Sequence, residues 1–371
     1  MKFYIYLICI FFCLFESLFA SSINGVNFFS PDSLFENRNY IQLKFNYLNK
    51  NIDPFNTIKD EISTITDTSF GAPGEMHGED ASIYFNILNN LSVDFSSGRD
   101  NYDFGLDSVN IDRIESKINL HKSFLNNFQF FISVGSRYIR SEDININGLE
   151  AINSMIKRIE PNSSVKMIHD EDGYWFDLGD DILIQSAESR DVTDKPEISL
   201  YSLDSLSWYL ESSLHYKFHS FYSGIYARYG KTSIKSKIDT NIDDYVGSLR
   251  QYLSDEYKTF LDQFPIDLER TESYYSFGGY LNFPLFYELR GDIEYSYIKM
   301  LRDDGLDYEQ SNYSLTAALI YQITKHLDVN FGAEYFYRQL NGVIPFMYNQ
   351  YTQTTFDHKY GHLFCGISYD F

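Results

Sequence analysis

The chain has 371 residues, of which 52 are acidic and 30 basic, giving a net charge of −22. That balance argues against nucleic acid as a partner. After residue 20 no apolar run approaches the roughly 20 residues that a membrane-spanning helix needs, which argues against helical membrane spans there. Tyr and Phe number 32 each and Pro only 8. Aromatic side chains suit extended, half-buried surfaces and membrane interfaces, and scarce proline permits long strands.

The N-terminus reads as a secretory signal over 1–22. Lys2 supplies a basic n-region, Phe3 to Phe15 an apolar h-region, and Ala20-Ser21-Ser22 small residues for cleavage. Cleavage would leave Cys365 as the one cysteine of a single 23–371 domain, with no intrachain disulfide. The expected location is the bacterial outer membrane.

Downstream, twelve segments alternate with the period of two that a membrane barrel strand shows. The first is Tyr40 to Asn49, with Ile41, Leu43, Phe45 and Tyr47 on one face. Ile83 to Ile87 and Leu91 to Phe95 form a hairpin around Asn89-Asn90. Ile114 to Leu120 and Phe128 to Tyr138 follow, then Leu206 to Tyr216 and Phe221 to Gly230. Tyr274 to Phe283, Tyr287 to Tyr297, Leu315 to Ile323 and Leu327 to Tyr337 lead to a last strand that ends the chain.

Short connections (89–90, 122–127, 218–220, 283–286, 324–326) alternate with longer ones (50–79, 97–109, 140–204, 231–271, 301–311, 339–354). The expected fold is therefore all-β: a transmembrane antiparallel up-and-down barrel of about 12 strands, with short periplasmic turns and long extracellular loops. The largest surface loops are expected at 140–204 and 231–271. Apolar residues at Val246, Leu249, Leu253, Tyr257, Phe260 and Phe264 predict an amphipathic helix over 243–264, a candidate constriction. A weaker helical pattern covers Gly148 to Ile159.

The closing residues Leu363, Cys365, Ile367, Tyr369 and Phe371 share one face. This ending resembles the terminal strand of outer-membrane barrels, which implies recognition by the outer-membrane assembly machinery through Phe371. The stretches Leu106-Asp107-Ser108-Val109-Asn110-Ile111 and Gly135-Ser136-Arg137-Tyr138 resemble the Legionella-type major-outer-membrane-protein-like pore-forming family. Asp112 departs from that pattern. The resemblance implies a diffusion pore without a catalytic site.

Motifs for other chemistry fall short. Gly230-Lys231-Thr232-Ser233 lacks the correctly spaced first glycine of a phosphate loop. His169-Asp170-Glu171-Asp172-Gly173 lacks the alternating ligands of a calcium loop. His358 and His362 share a face with no spacing that specifies a nucleophile, and neither HExxH nor GxSxG occurs. No enzyme activity, cofactor or metal is expected.

The inward faces are charged. Lys44, Arg113, Lys117, Arg137, Arg228, Arg290, Asp292, Glu294, Glu334 and Arg338 are the candidate pore-lining residues. Arg113, Lys117 and Arg137 are expected to form a basic wall facing Asp292, Glu294 and Glu334. Eight strands leave an interior that side chains fill and 16–18 leave an open channel, so about 12 predicts a narrow aqueous pore for ions and small polar solutes. The alternative is a surface adhesin or structural barrel. Outer-membrane lipid and lipopolysaccharide are the expected surroundings.

Overall fold

A computed structural model describes residues 38–49, 75–103, 108–124, 127–147, 166–169, 173–177, 183–188, 197–241, 255, 258–259, 262–302, 310–338, 342–348 and 359–371. Twelve strands form the barrel wall: β1 (Tyr40–Leu48), β2 (Met76–Leu88), β3 (Leu91–Asp103), β4 (Ser108–Phe124), β5 (Phe128–Ser141), β6 (Glu197–Phe218), β7 (Phe221–Thr240), β8 (Arg270–Phe286), β9 (Leu289–Leu301), β10 (Ser311–Gln322), β11 (Leu327–Tyr337) and β12 (Tyr360–Asp370). Each pairs antiparallel with the next, and β1 pairs with β12 from Tyr40↔Asp370 to Tyr47↔Leu363. The sheet is closed, so it has no unpaired edge. The Phe371 N–H also donates to the Asn39 carbonyl at 2.9 Å, extending that seam by one bond.

The period of two sets the two faces. Along β1 the inward Tyr40, Gln42, Lys44, Asn46 and Leu48 are buried, while Leu43, Phe45 and Tyr47 are exposed outward. Ile118, Leu120, Ile132, Val134, Leu206, Trp208 and Leu210 are likewise exposed on neighbouring strands. A continuous apolar surface of this extent is untenable in water and is what a lipid bilayer requires. Aromatic rings mark its two margins. Phe128 lies 4.7 Å from Tyr216 and Phe85 6.0 Å from Phe371 at the short-turn end. At the other end Tyr297 lies 4.9 Å from Tyr313, which lies 6.0 Å from Tyr337.

Above the apolar band the outward face becomes charged. Register places Glu79, Arg99, Asp112, Arg140, Asp204 and Lys235 in one row across β2 to β7, with alternating sign. Asp112 accepts from Arg99 Nε at 2.7 Å and from Arg140 Nε at 3.4 Å. These exposed pairs add little stability, but they mark where the wall leaves the hydrocarbon.

The strands differ in length from the sequence reading. β6 begins at Glu197 and β7 continues to Thr240, so this hairpin rises well into the expected loops 140–204 and 231–271. β3 and β4 likewise run through most of the expected loop 97–109, leaving only 104–107 between them. Polar outward residues hid these extensions, because strand and loop look alike once the lipid-facing alternation stops. A short strand, Ile144–Asn147, pairs with β6, and Ile266–Asp267 pairs with β7. Residues 166–169, 173–177 and 183–188 form a separate three-stranded sheet within the expected loop 140–204. The predicted helix at 148–159 lies outside the described residues. Of the predicted helix at 243–264 only Asp255, Lys258, Thr259 and 262–264 are described. There the Asp262 N–H donates to the Lys258 carbonyl at 2.9 Å, an i to i−4 bond.

Candidate functional site

The lumen is the candidate site, and it is layered. Near the short turns Tyr40 stacks on Tyr84 at 5.4 Å, and His121 stacks on Phe131 at 5.0 Å while bonding to Gln129. The middle is ionic. The long-loop end is apolar again, with Ile111, Ile139, Ile234, Ile298, Met300 and Phe336 all facing inward and buried.

Two ion clusters fill the middle. In the first, Lys44 lies 3.8 Å from Asp80 and 3.7 Å from Glu334, and its ammonium stands 4.4 Å from the centre of the Phe364 ring. Arg113 donates to Asp100 and reaches Asp80 at 3.7 Å. His362 lies 3.7 Å from Glu334. In the second, Lys117 lies 3.2 Å from Asp94 and 3.5 Å from Glu211. Arg228 binds Glu211 at 2.7 Å, approaches Glu115 at 3.7 Å, and lies over the Tyr209 ring, whose hydroxyl donates to Glu115. Charges buried to this degree persist only when paired.

Strand register explains the pairing. Lys44 stands opposite Asp80, Lys117 opposite Asp94, Arg137 opposite Glu115 and Arg228 opposite Glu211. The expected basic wall is therefore absent as such: Arg113 and Lys117 are tied to carboxylates on neighbouring strands. Arg137 is buried too, and donates to the Gly342 carbonyl at 3.2 Å. Asp292 and Glu294 face inward from β9 and are buried. Arg290 donates to Asn282, whose amide donates to Asp292 at 3.0 Å. Arg338 leaves the wall at φ 71° and lays its guanidinium 4.9 Å from the centre of the Tyr337 ring, so it stands at the rim.

A cavity of about 60 Å³ lies against the second cluster, lined by Lys117, Glu211, Arg228, His215 and Tyr280 among others. It has room for a few waters. His215 bonds Ser213 at 2.8 Å and the Tyr280 hydroxyl at 2.9 Å. No carboxylate hydrogen-bonds to His215 among the described residues. His358 lies outside the described residues. Gly230-Lys231-Thr232-Ser233 sits within β7 and forms no loop.

Several lumenal residues escaped the sequence reading. Asp100 fell in the expected loop 97–109 and Asp80 between the expected loop 50–79 and the strand read from Ile83, although both sit at inward positions of strands that run longer than expected. The segment 342–348 escaped too. Gly342, Val343, Ile344, Pro345, Phe346, Met347 and Tyr348 are all buried. Its grips include guanidinium groups, Arg137 on Gly342 and Arg270 on the carbonyls of Pro345 at 2.9 Å and Tyr348 at 2.6 Å, and the Tyr348 hydroxyl donates to the Arg338 carbonyl. An apolar run between two expected strands was the available signal.

No family profile matches the chain, and no curated protein matches it. Solved structures do align over most of its length. The toluene transporter TodX of Pseudomonas putida aligns at TM-score 0.44 and 10% identity, covering 95% of each chain. The NanC porin aligns at TM-score 0.42 and 7% identity, covering 90% of this chain and 98% of the porin. The translocator domain of the autotransporter NalP from Neisseria meningitidis aligns at TM-score 0.40 and 9% identity, over 90% and 87%. With the apolar outer wall and polar interior, the geometry makes this chain a transmembrane antiparallel β-barrel of 12 strands.

Proposed function

We propose that the chain resides in the outer membrane of a Gram-negative bacterium and forms a narrow pore for ions and small polar solutes. One observation carries this reading: charged and amide side chains occupy the middle of the lumen at the depth where the outer wall is apolar. A purely structural barrel has no need of so many ions, since replacing buried ion pairs by apolar side chains is often neutral or stabilising. Relays of alternating charge suit the stepwise passage of small ions, with the pairs exchanging partners as an ion moves through. The likeness of Gly135-Ser136-Arg137-Tyr138 to the Legionella-type pore-forming family supports the same reading. Export would depend on residues 1–22 and insertion on the β12 end at Phe371, with lipopolysaccharide and outer-membrane lipid around the wall.

The test is conductance of the purified, heat-modifiable barrel in a planar bilayer. Small single-channel steps with mild ion preference are expected, and silence from a correctly folded barrel removes the pore. The second reading, a sealed barrel presenting its loops as a structural element or adhesin, is favoured by the small lumenal cavity and the occupied long-loop mouth. It predicts that silence.

A further inference from the structure

We infer that residues 342–348 are a gate at the long-loop mouth of the lumen, latched by Arg270 and Glu272. Its consequence for ion flow rests on the pore reading above; the closure itself does not. The segment enters the mouth at Gly342, whose φ of +81° favours glycine and whose α-carbon packs so closely that a Cβ would stand 2.8 Å from Ile298 Cγ2. Phe346, Met347 and Tyr348 then lie buried over the apolar end of the lumen. The segment's backbone bonds close local turns, from the Met347 N–H to the Ile344 carbonyl at 3.1 Å and from the Tyr348 N–H to the Pro345 carbonyl at 3.2 Å. Apolar contact, the Arg137 and Arg270 bonds and the Tyr348 hydroxyl bond to the Arg338 carbonyl seat this turn, and none of these is a strand-to-strand ladder bond, so it can leave as a unit without unzipping a barrel strand.

The latch is specific. Arg270 Nη2 holds both the Pro345 and Tyr348 carbonyls, so one guanidinium pins both ends of the 3-10 turn Pro345–Met347. Arg270 Nε in turn donates to Glu272 Oε1 at 2.5 Å, and Arg302 Nε donates to the same oxygen at 2.7 Å. The Glu272 and Arg302 side chains are each 1% exposed. Glu272 thus neutralises two guanidiniums that would otherwise repel across a buried space. Its other oxygen is buried without a hydrogen-bond partner among the described residues, so its charge serves those two cations. Removing that charge drives Arg270 away from Arg302 and off the segment it holds. Glu272 is a positioning residue: it acts on the gate through Arg270.

The test uses the exported chain with Cys365→Ala and Met347→Cys introduced. A membrane-impermeant maleimide is added on the long-loop side, and heat-modifiable mobility confirms the fold. Labelling should be slow in this parent and rise about tenfold with Glu272→Gln or Arg270→Gln, because each removes charge-assisted bonds worth roughly that factor or more. Arg99→Gln, on the outer wall, should leave the rate unchanged. Arg137→Gln provides a second latch variant should Glu272→Gln fail to fold. Rates within twofold of the parent in every folded latch variant would overturn the gate. So would a parent that labels as fast as the outward site Lys231→Cys. The same variants in planar bilayers separate the two readings. Faster labelling with no conductance in any variant keeps the gate and removes the pore. Conductance in all variants with unchanged labelling keeps the pore and removes the gate.

Discussion

Tyr209 on β6 stands directly across from Gly135 on β5, and its ring lies so close that a Cβ at Gly135 would overlap it. The absence of that Cβ lets the phenol reach Glu115 and lets the Arg228 guanidinium lie over its other side, 3.9 Å from the ring centre. The same pairing recurs where Tyr280 covers Gly224 and Phe364 covers Gly332. A ring laid on a glycine across the strands restores the apolar cover that glycine lacks. Gly135→Ala should therefore destabilise the barrel by roughly 1–3 kcal/mol, the usual range for overpacking. Tyr209→Ala in the same chain should relieve that clash, so the double variant should lose less than the two single effects added. Denaturant unfolding in detergent, followed by gel mobility, measures both.

Asp112 and Arg113 are adjacent in sequence and lie on opposite sides of the wall. Asp112 is outward with partly exposed partners, and Arg113 is inward and 2% exposed. Arg113→Met should cost about 3–5 kcal/mol, because it strands Asp100 without its cation and leaves Asp80 only the more distant cation Lys44. Asp112→Asn should cost less than about 1 kcal/mol. Similar losses at the two positions, measured by denaturant midpoint, would contradict the assignment of faces.

Ile132 is outward, four residues from the short-turn end of β5 and exposed. That is about 13 Å along the strand, or roughly 10 Å of height at the usual strand tilt of about 35–45°, well inside an apolar band roughly 25 Å tall. Ile132→Arg should cost about 2–4 kcal/mol in lipid. Arginine already stands at the outward position Arg140, eight residues further along the same strand. A refolding titration in lipid vesicles reads the difference, and a harmless Ile132→Arg would argue that this face meets water.

Charge along the lumen should set ion preference if the barrel conducts. Arg113→Gln and Arg137→Gln leave Asp80, Asp100 and Glu115 less compensated, since Glu115 stands opposite Arg137. The reversal potential in a salt gradient should shift toward cation preference. A shift toward anions would mean that these carboxylates do not line the conducting path.

Much of this architecture was legible in the sequence, and particular residues show why. Ile41, Leu43, Phe45 and Tyr47 alternate with Gln42, Lys44 and Asn46, and lipid outside with polar groups inside is enough to read a strand and its two faces. Lys44, Arg113, Asp292 and Glu294 follow as inward by parity alone. Where the outward residues turn polar, as at Lys231, Ser233 and Lys235 on β7, that contrast vanishes, and the strand could not be told from loop. Asp100 was lost for the same reason. The exact register and the side-chain pairings it sets lay beyond local pattern altogether. They depend on hydrogen-bond ladders between segments far apart in the chain, and these decide that Lys117 meets Asp94 and Glu211 rather than joining a basic wall. They also bring Arg270 of β8 to the carbonyls of Pro345 and Tyr348, seventy-odd residues onward. Alternation is a property of one strand and is written in its side chains. Which charges meet, and what fills the mouth, are properties of the closed sheet and arise only when twelve strands share one register.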